Sequence, residues 1–298
     1  MKSSALAQWR VWILRFTLLL AAVASARPLL SDDPQGDKGD GKPPELAPPS
    51  NEELADRRIV FMKTALAHYT VQVGDGKEPA KVADPCLRFT NALSGVTDGI
   101  ISVYAVNGGR PAAVGQFFKN APRSWVNEFT IIAESNVTIM RSGRPFWKPS
   151  EYVCKLTDLP GSPVPAAKPA LRLAQMRSIA ADFSVIDHFG SQETTRHNLR
   201  LLSQPVYRYS EEGKIVDGAL FIFALGTNPE CGLLLETFQD DKGVRYRYAL
   251  SPMSIFELEA RYKETPVWAI ERRIFFGNSC RSYYALTYGP DPGETVPE

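Results

Sequence analysis

Chemistry has few places to start in this chain. Three histidines are the whole complement, and only His188 adjoins a carboxylate, in Asp187-His188 before Gly190. A loop imidazole beside a carboxylate is a common general base. Glu128 is the other candidate, set between Asn127 and Phe129 in an expected strand. An ionisable group in a sheet either faces water or is buried with a partner, and Arg88 and Arg200 are the expected partners. Asp187, His188 and Glu128 are therefore the candidate catalytic residues of a hydrolase acting outside the cytoplasm. Their structural counterparts are a helix cap for His188 and a salt bridge for Glu128.

Everything else argues for a non-catalytic role. The chain has no GxSxG elbow, phosphate-cradling glycine loop, HExxH helix, CxxC pair or calcium loop, so no catalytic constellation, cofactor or metal is expected. His68 falls near a helix end, where a cation favours the dipole. Tyr246, Tyr248, Tyr262 and Trp268 are expected either to line a sugar-binding face or to fill a core. The favoured function is an exported protein that binds a ligand between two similar halves or serves the cell envelope, with a glycan or envelope component as partner.

The elements that position these residues come in two copies. Leu87-Arg88-Phe89-Thr90-Asn91 is echoed by Leu199-Arg200-Leu201-Leu202-Ser203, and Asp98-Gly99 by Asp217-Gly218. Arg110-Pro111 then matches Asn228-Pro229, and Pro145-Phe146-Trp147 matches Pro266-Val267-Trp268. The Asp-Gly pairs read as duplicated turns, because Asp bonds turn backbone and Gly accepts positive φ. Repeats at about 87–150 and 199–270 predict two related β-meanders sharing a core.

Two helices accompany them. Ser50 and Glu53 form a capping box, and Leu54, Ile59, Met62, Leu66 and Tyr69 recur at helical spacing, so residues 51–69 form an amphipathic helix. A Pro-rich connector over 160–169 leads into a second, at 170–184, between the repeats. Ala219 to Leu225 is almost continuously apolar instead of alternating, which requires cover on both faces. That strand is expected at the centre, with the other copy on one side and helix 170–184 on the other. The predicted fold is α+β: internally duplicated antiparallel meanders forming a sandwich or open barrel, with an N-terminal helix and a helix between the repeats.

Residues 1–26 read as a secretory signal peptide, with Lys2, Arg10 and Arg15 before the apolar run Phe16 to Val23 and a small-residue site at Ala24-Ser25-Ala26. That run is shorter than the roughly 20 residues a membrane helix needs, so cleavage near Ala26 and export are expected, with no integral membrane segment left. Residues 27–50, built of Pro, Gly, Asp and Lys, read as a disordered linker, leaving 51–298 as one globular domain. Removing the leader takes the formal charge of +1 to about −2, too balanced to recruit nucleic acid. Cys86, Cys154, Cys231 and Cys280 are expected either as two disulfides, one of them Cys86 to Cys154, or as four buried thiols.

Leu87 to Asn91, Asp98-Gly99, Gly109-Arg110-Pro111, Asn127-Glu128-Phe129, Arg172 to Arg177, Leu199 to Tyr209 and Asp217 to Phe221 together resemble the uncharacterised exported proteins of planctomycete type, over about residues 55–270. The resemblance implies export and supplies no activity, ligand or site.

If Ala219 to Leu225 is central, Phe221→Asp yields no soluble secreted protein while Glu264→Ala is tolerated, because burying one such side chain is worth about 1.5–3 kcal/mol. Soluble yields of the two variants test this, and equal yields would refute the central position.

Overall fold

Ser50 accepts a hydrogen bond from Glu53 N at 3.2 Å and donates its own N–H to Glu53 Oε2 at 2.7 Å, the capping box read from sequence. It starts α1 (Asn51–Ala67), which His68 caps at the far end. The computed structural model describes residues 50–298 apart from 77, 108, 121–123, 135, 190–194, 273–281, 289–295 and 298. The expected signal peptide, the linker up to residue 49, Gly108, Gly190 and Cys280 lie outside the described residues.

After α1 come β1 (Tyr69–Val73), β2 (Ala80–Val82), β3 (Leu87–Asn91), β4 (Val96–Ala105), β5 (Pro111–Asn120), β6 (Ser124–Ile131), β7 (Val137–Arg141) and β8 (Arg144–Trp147). A short β9 (Thr157–Asp158) lies in the connector. Then follow α2 (Pro169–Ala181), β10 (Phe183–Asp187), β11 (His197–Asn198), β12 (Arg200–Leu201), β13 (Tyr207–Glu211), β14 (Ile215–Leu225), β15 (Asn228–Asp240), β16 (Gly243–Pro252), β17 (Leu258–Tyr262), β18 (Thr265–Ile270) and β19 (Tyr283–Thr287). All the strand pairings are antiparallel.

The pairing pattern is the same twice. The first sheet runs β19-β6-β5-β4-β2-β1-β7-β8, with β3 also on β4. The second copy repeats this as β9-β16-β15-β14-β12 with β13 on β14, and β11-β10-β17-β18. It is split into two sheets where Leu199 separates β11 from β12, whereas β2 bridges β1 and β4 unbroken. Bulges recur too: the β7–β8 register shifts between Ile139 and Met140, and the β17–β18 register between Ala260 and Arg261.

These registers correct one sequence match. Phe89 pairs with Gly99, and Tyr209 with Gly218, so Leu87 to Asn91 corresponds to Tyr207 to Glu211, not to Leu199 to Ser203. Arg200 instead takes the place of Lys81, each lying opposite the related alanines Ala224 and Ala105. The Leu-Arg identity misled because both segments flank the same strand. A helix precedes each copy: α1 stands at the start, and α2 lies mid-chain between the two repeats, as expected.

Three apolar layers follow. Helix α1 packs on one face of the first sheet through Met62, Leu66, Ile100 and Phe117. Helix α2 packs likewise on the second copy through Met176, Ile179, Phe221 and Phe223. Between the copies lies a third cluster, with Ile101, Val114 and Phe118 from the first and Leu220, Ile222 and Leu234 from the second. Strand β14 is thus covered on both faces, as its apolar run demands. Tyr246, Tyr248 and Tyr262 are buried in the α2 cluster and Trp268 packs against it, so of their two expected roles they fill the core.

Where β6 meets β16, the contact is reciprocal: Thr130 Oγ1 donates to Pro252 O at 2.9 Å and Ser251 Oγ to Ile131 O at 3.1 Å. Thr130 and Ser251 occupy equivalent register positions, as do Ile131 and Pro252. Residue i meeting j′ while j meets i′ is the mark of a twofold contact.

The Asp-Gly pairs are not turns. Asp98 accepts from Arg88 at 2.7–2.8 Å and from Arg58 of α1 at 2.9 Å. Asp217 accepts from Arg208 at 2.7–2.9 Å and from Arg172 of α2 at 3.2 Å. Each Asp pins its helix to its sheet. Burial alone would raise the Asp98 pKa, but the two guanidiniums outweigh it and hold it below the usual carboxylate range. The glycines leave room for a ring: a Cβ on Gly99 would meet Phe89 Cζ at 2.7 Å and one on Gly218 would meet Tyr209 Cζ at 2.3 Å.

Cys86 and Cys154 are free thiols, so the expected bridge between them is absent. Burial pushes both thiols up, to about 11 and about 12, which leaves them poor nucleophiles.

The ring that Gly218 accommodates cannot retreat, because Tyr209 donates its hydroxyl to Glu236 at 2.7 Å. Gly218→Ala should therefore cost about 1–3 kcal/mol and more than Gly99→Ala, whose Phe89 has no such tether. Denaturant melts of the two variants check this, and an equal or larger loss for Gly99→Ala would contradict it.

Candidate functional site

The sequence candidates Glu128 and Asp187 come together with a residue not singled out, Glu230. Glu128 stands on β6, Asp187 ends β10 and Glu230 opens β15. Asp187 and Glu230 are fully buried, and both Asp187 and Glu128 lie close enough to Glu230 for their charges to raise its pKa. Glu128 and Glu230 line a cavity of about 430 Å³ whose walls come from both copies, including Phe118 and Tyr283 on one side and Asn228, Ser254 and Phe256 on the other.

Among the described residues none of the three carboxylates forms a salt bridge with a cation. Glu128 accepts from Gln116 Nε2 at 3.1 Å, and Glu230 Oε1 from Asn228 Nδ2 at 2.5 Å. No hydrogen bond of acceptable geometry reaches Glu230 Oε2 or either oxygen of Asp187. Burial consequently lifts Glu128 to about 7 against the opposing pull of Tyr283. It lifts Asp187 to about 7 although His188 favours the anion. Glu230 rises well above the carboxylate range, first through burial and then through Asp187, while Asn228 and Ser254 pull the other way. Such groups hold protons near neutrality and can both donate and accept them.

The expected partners go elsewhere. Arg88 is committed to Asp98, and Arg200 donates to Gly226 O at 3.0 Å, so neither expected salt bridge to Glu128 forms. The register of β5 on β6 sets Glu128 beside Gln116 instead. Nor does His188 pair with Asp187 or cap α2, which ends at Ala181. Alternation along the backbone turns it the other way, and its Nε2 meets Glu259 Oε1 at 3.1 Å, with Glu257 at 3.8 Å. Among the described residues these three bring ligand atoms within 4.8 Å of one another, but Arg196 already holds both Glu259 oxygens at 2.8–2.9 Å. His68 lies on the far helix end beside the Tyr288 hydroxyl, 3.4 Å away.

The duplication makes the cavity informative. By register, Val73, Ala112 and Ala249 occupy the positions of Asp187, Glu230 and Glu128 in the other copy. Val73 and Ala112 help line a second cavity, of about 750 Å³, at the related end of the inter-copy interface. There the buried carboxylate is Glu236, and it is fully clasped: Arg110 donates at 2.6 and 2.8 Å, Arg247 at 2.8 Å and Tyr209 at 2.7 Å. Phe118, Asn228, Val126 and Phe89 stand at the corresponding four positions of the other copy, and Phe118 and Asn228 line the first cavity. One end of the scaffold compensates its carboxylate, and at the other three have no counter-charge among the described residues.

Comparison of the chain with family models, with curated proteins and with solved structures finds no match.

Glu128 binds its proton more tightly folded than unfolded, so the native state holds the extra proton between about pH 4.5 and 7. Stability must therefore fall as pH rises through that window. Glu128→Gln should raise stability at pH 8 by roughly 1–3 kcal/mol and leave it nearly unchanged at pH 4. Thermal melts at the two pH values check this, and an equal shift at both would contradict it.

Proposed function

We propose that this chain is an exported binding protein that takes a small molecule into the carboxylate-lined cavity between its two copies. The observation that carries this reading is the pairing of half-buried Glu128 and fully buried Glu230, neither with a counter-charge among the described residues, with an apolar wall. Small-molecule sites are largely apolar hollows of about 300–1,000 Å³ with a few converging polar groups, and this cavity of about 430 Å³ has that character. Buried carboxylates without partners cost stability, and a scaffold that satisfies Glu236 so completely has the means to avoid that cost. Their retention fits a site that is completed by something from outside.

Export rests on the signal-like leader alone. Among the described residues no helix is long and apolar enough to cross a membrane. Hydrolysis is the second reading, favoured by one observation: protonatable carboxylates whose charges raise one another's pKa can divide the roles of acid and base. Against it stands His188, turned toward Glu259 and away from Asp187.

A thermal-shift screen of the purified protein against saccharides, amines, lipids and metal ions tests the binding reading, because a ligand that binds only the folded state raises its melting temperature. The expected result is a shift that Glu230→Gln weakens, with no turnover of chromogenic glycosides or esters. Turnover abolished by Glu128→Gln would establish the hydrolase instead. No shift across the panel would overturn the binding reading.

A further inference from the structure

We propose that the ligand is an organic cation, an ammonium or guanidinium group seated between Glu128 and Glu230 with an apolar body against Phe118, Phe189 and Phe256. The proposal rests on the binding reading above and narrows it to a chemical class. Its argument is an internal comparison within the duplicated scaffold.

At the related end of the interface, the fold shows what a buried carboxylate requires here. Glu236 is fully buried, and the guanidiniums of Arg110 and Arg247 reach it at 2.6–2.8 Å. Charge-assisted bonds of this kind are the strong ones. At the ligand end the positions of those two arginines are taken by Asn228 and Val126, and no Lys, Arg or His is among the described residues lining the cavity. Glu230 Oε2 nevertheless lies fully buried without a formed hydrogen bond. A cation carried by the ligand supplies there what Arg110 and Arg247 supply at the other end.

The walls suit the same chemistry. Aromatic faces attract cations within about 6 Å of the ring centroid, and the scaffold already uses this: Arg247 and Arg245 lie 4.4 and 4.9 Å from the Phe238 ring. Arg272 lies 5.2 Å from the ring of Phe256, which lines the ligand cavity, so that ring tolerates a guanidinium. Phe118 and Phe189 extend the aromatic lining without a charged neighbour of this kind among the described contacts. A bare divalent ion fits less well. Such an ion draws its oxygens to within about 2.0–2.6 Å of one centre, whereas Glu128, Asp187 and Glu230 do not bring three ligand oxygens, one from each, all within 4.8 Å of one another. A larger ligand spans that spread.

Isothermal titration with 2-phenylethylammonium, its neutral isostere 2-phenylethanol, glucose and calcium chloride tests the class. The expected result is binding of the ammonium probe at ~1 mM or tighter, at least tenfold tighter than the alcohol, in the wild type. Glu128→Gln and Glu230→Gln should each weaken it by about tenfold or more, while Glu134→Gln, in the other cavity, leaves it unchanged. Circular dichroism confirms that the variants fold. At pH 6 the measured heat should depend on the buffer's ionisation enthalpy, because the cation displaces protons from the carboxylates. Binding of the alcohol or glucose without preference for the ammonium would overturn the cation class and leave the binding reading standing. Calcium binding alone would do the same. Failure of all four probes, in a protein whose melting temperature no small molecule raises, would overturn both.

Discussion

The apolar interface between the two copies is the constraint from which the rest of the structure follows. Strands β4, β5, β14 and β15 are covered on both faces, so neither copy can bury its own sheet alone. Each helix covers one face through Met62 or Met176, and the other face finds cover only in the sister copy. The reciprocal bonds of Thr130 and Ser251 fix how the two sheets cross. Burial supplies most of the driving force, while the Arg–Asp–Arg clusters set where each helix lies. Polar groups at this interface are therefore removed from water, and each must be satisfied within the protein or remain a cost.

That rule sorts the buried carboxylates. Asp98, Asp217 and Glu236 each receive two guanidiniums, and these clusters are structural. Glu128, Asp187 and Glu230 receive none among the described residues. A duplicated scaffold offers an unusual control, because each position has a counterpart in the same molecule under the same packing. Val73, Ala112 and Ala249 show that apolar residues are accepted at the three positions. The carboxylates are thus not demanded by the fold, and the cavity they line is where the two ends of the molecule have diverged. Departure from local consistency at a few buried positions is a mark of functional sites.

Much of the architecture was legible in the sequence, and the reasons are physical. Ser50 and Glu53 announced α1 because a capping box is local chemistry. The continuous apolar run Ala219 to Leu225 announced a strand covered on both sides because burial acts residue by residue. Arg110-Pro111 and Pro145-Phe146-Trp147 found their true counterparts because Pro and Trp carry strong positional constraints. Leu87 to Asn91 did not, since Leu and Arg recur in any strand that flanks a core, and only hydrogen-bond register shows that Tyr207 to Glu211 is its equivalent. Glu128 was visible as an ionisable group within an expected strand, and Asp187 as the neighbour of His188. Their partners were not, because side-chain direction depends on tertiary register, which sent His188 to Glu259 and left Glu128 beside Gln116. Glu230 went unnoticed although the match of Arg110-Pro111 to Asn228-Pro229 places it opposite Ala112. A carboxylate replacing alanine at the mouth of an apolar strand was the available signal.

Native-state hydrogen exchange tests the shared interior most directly. Amides of β4 and β5 and those of β14 and β15 should open only by global unfolding, with one common free energy and one common dependence on denaturant. One copy opening at a markedly lower free energy while the other stays protected would contradict the account.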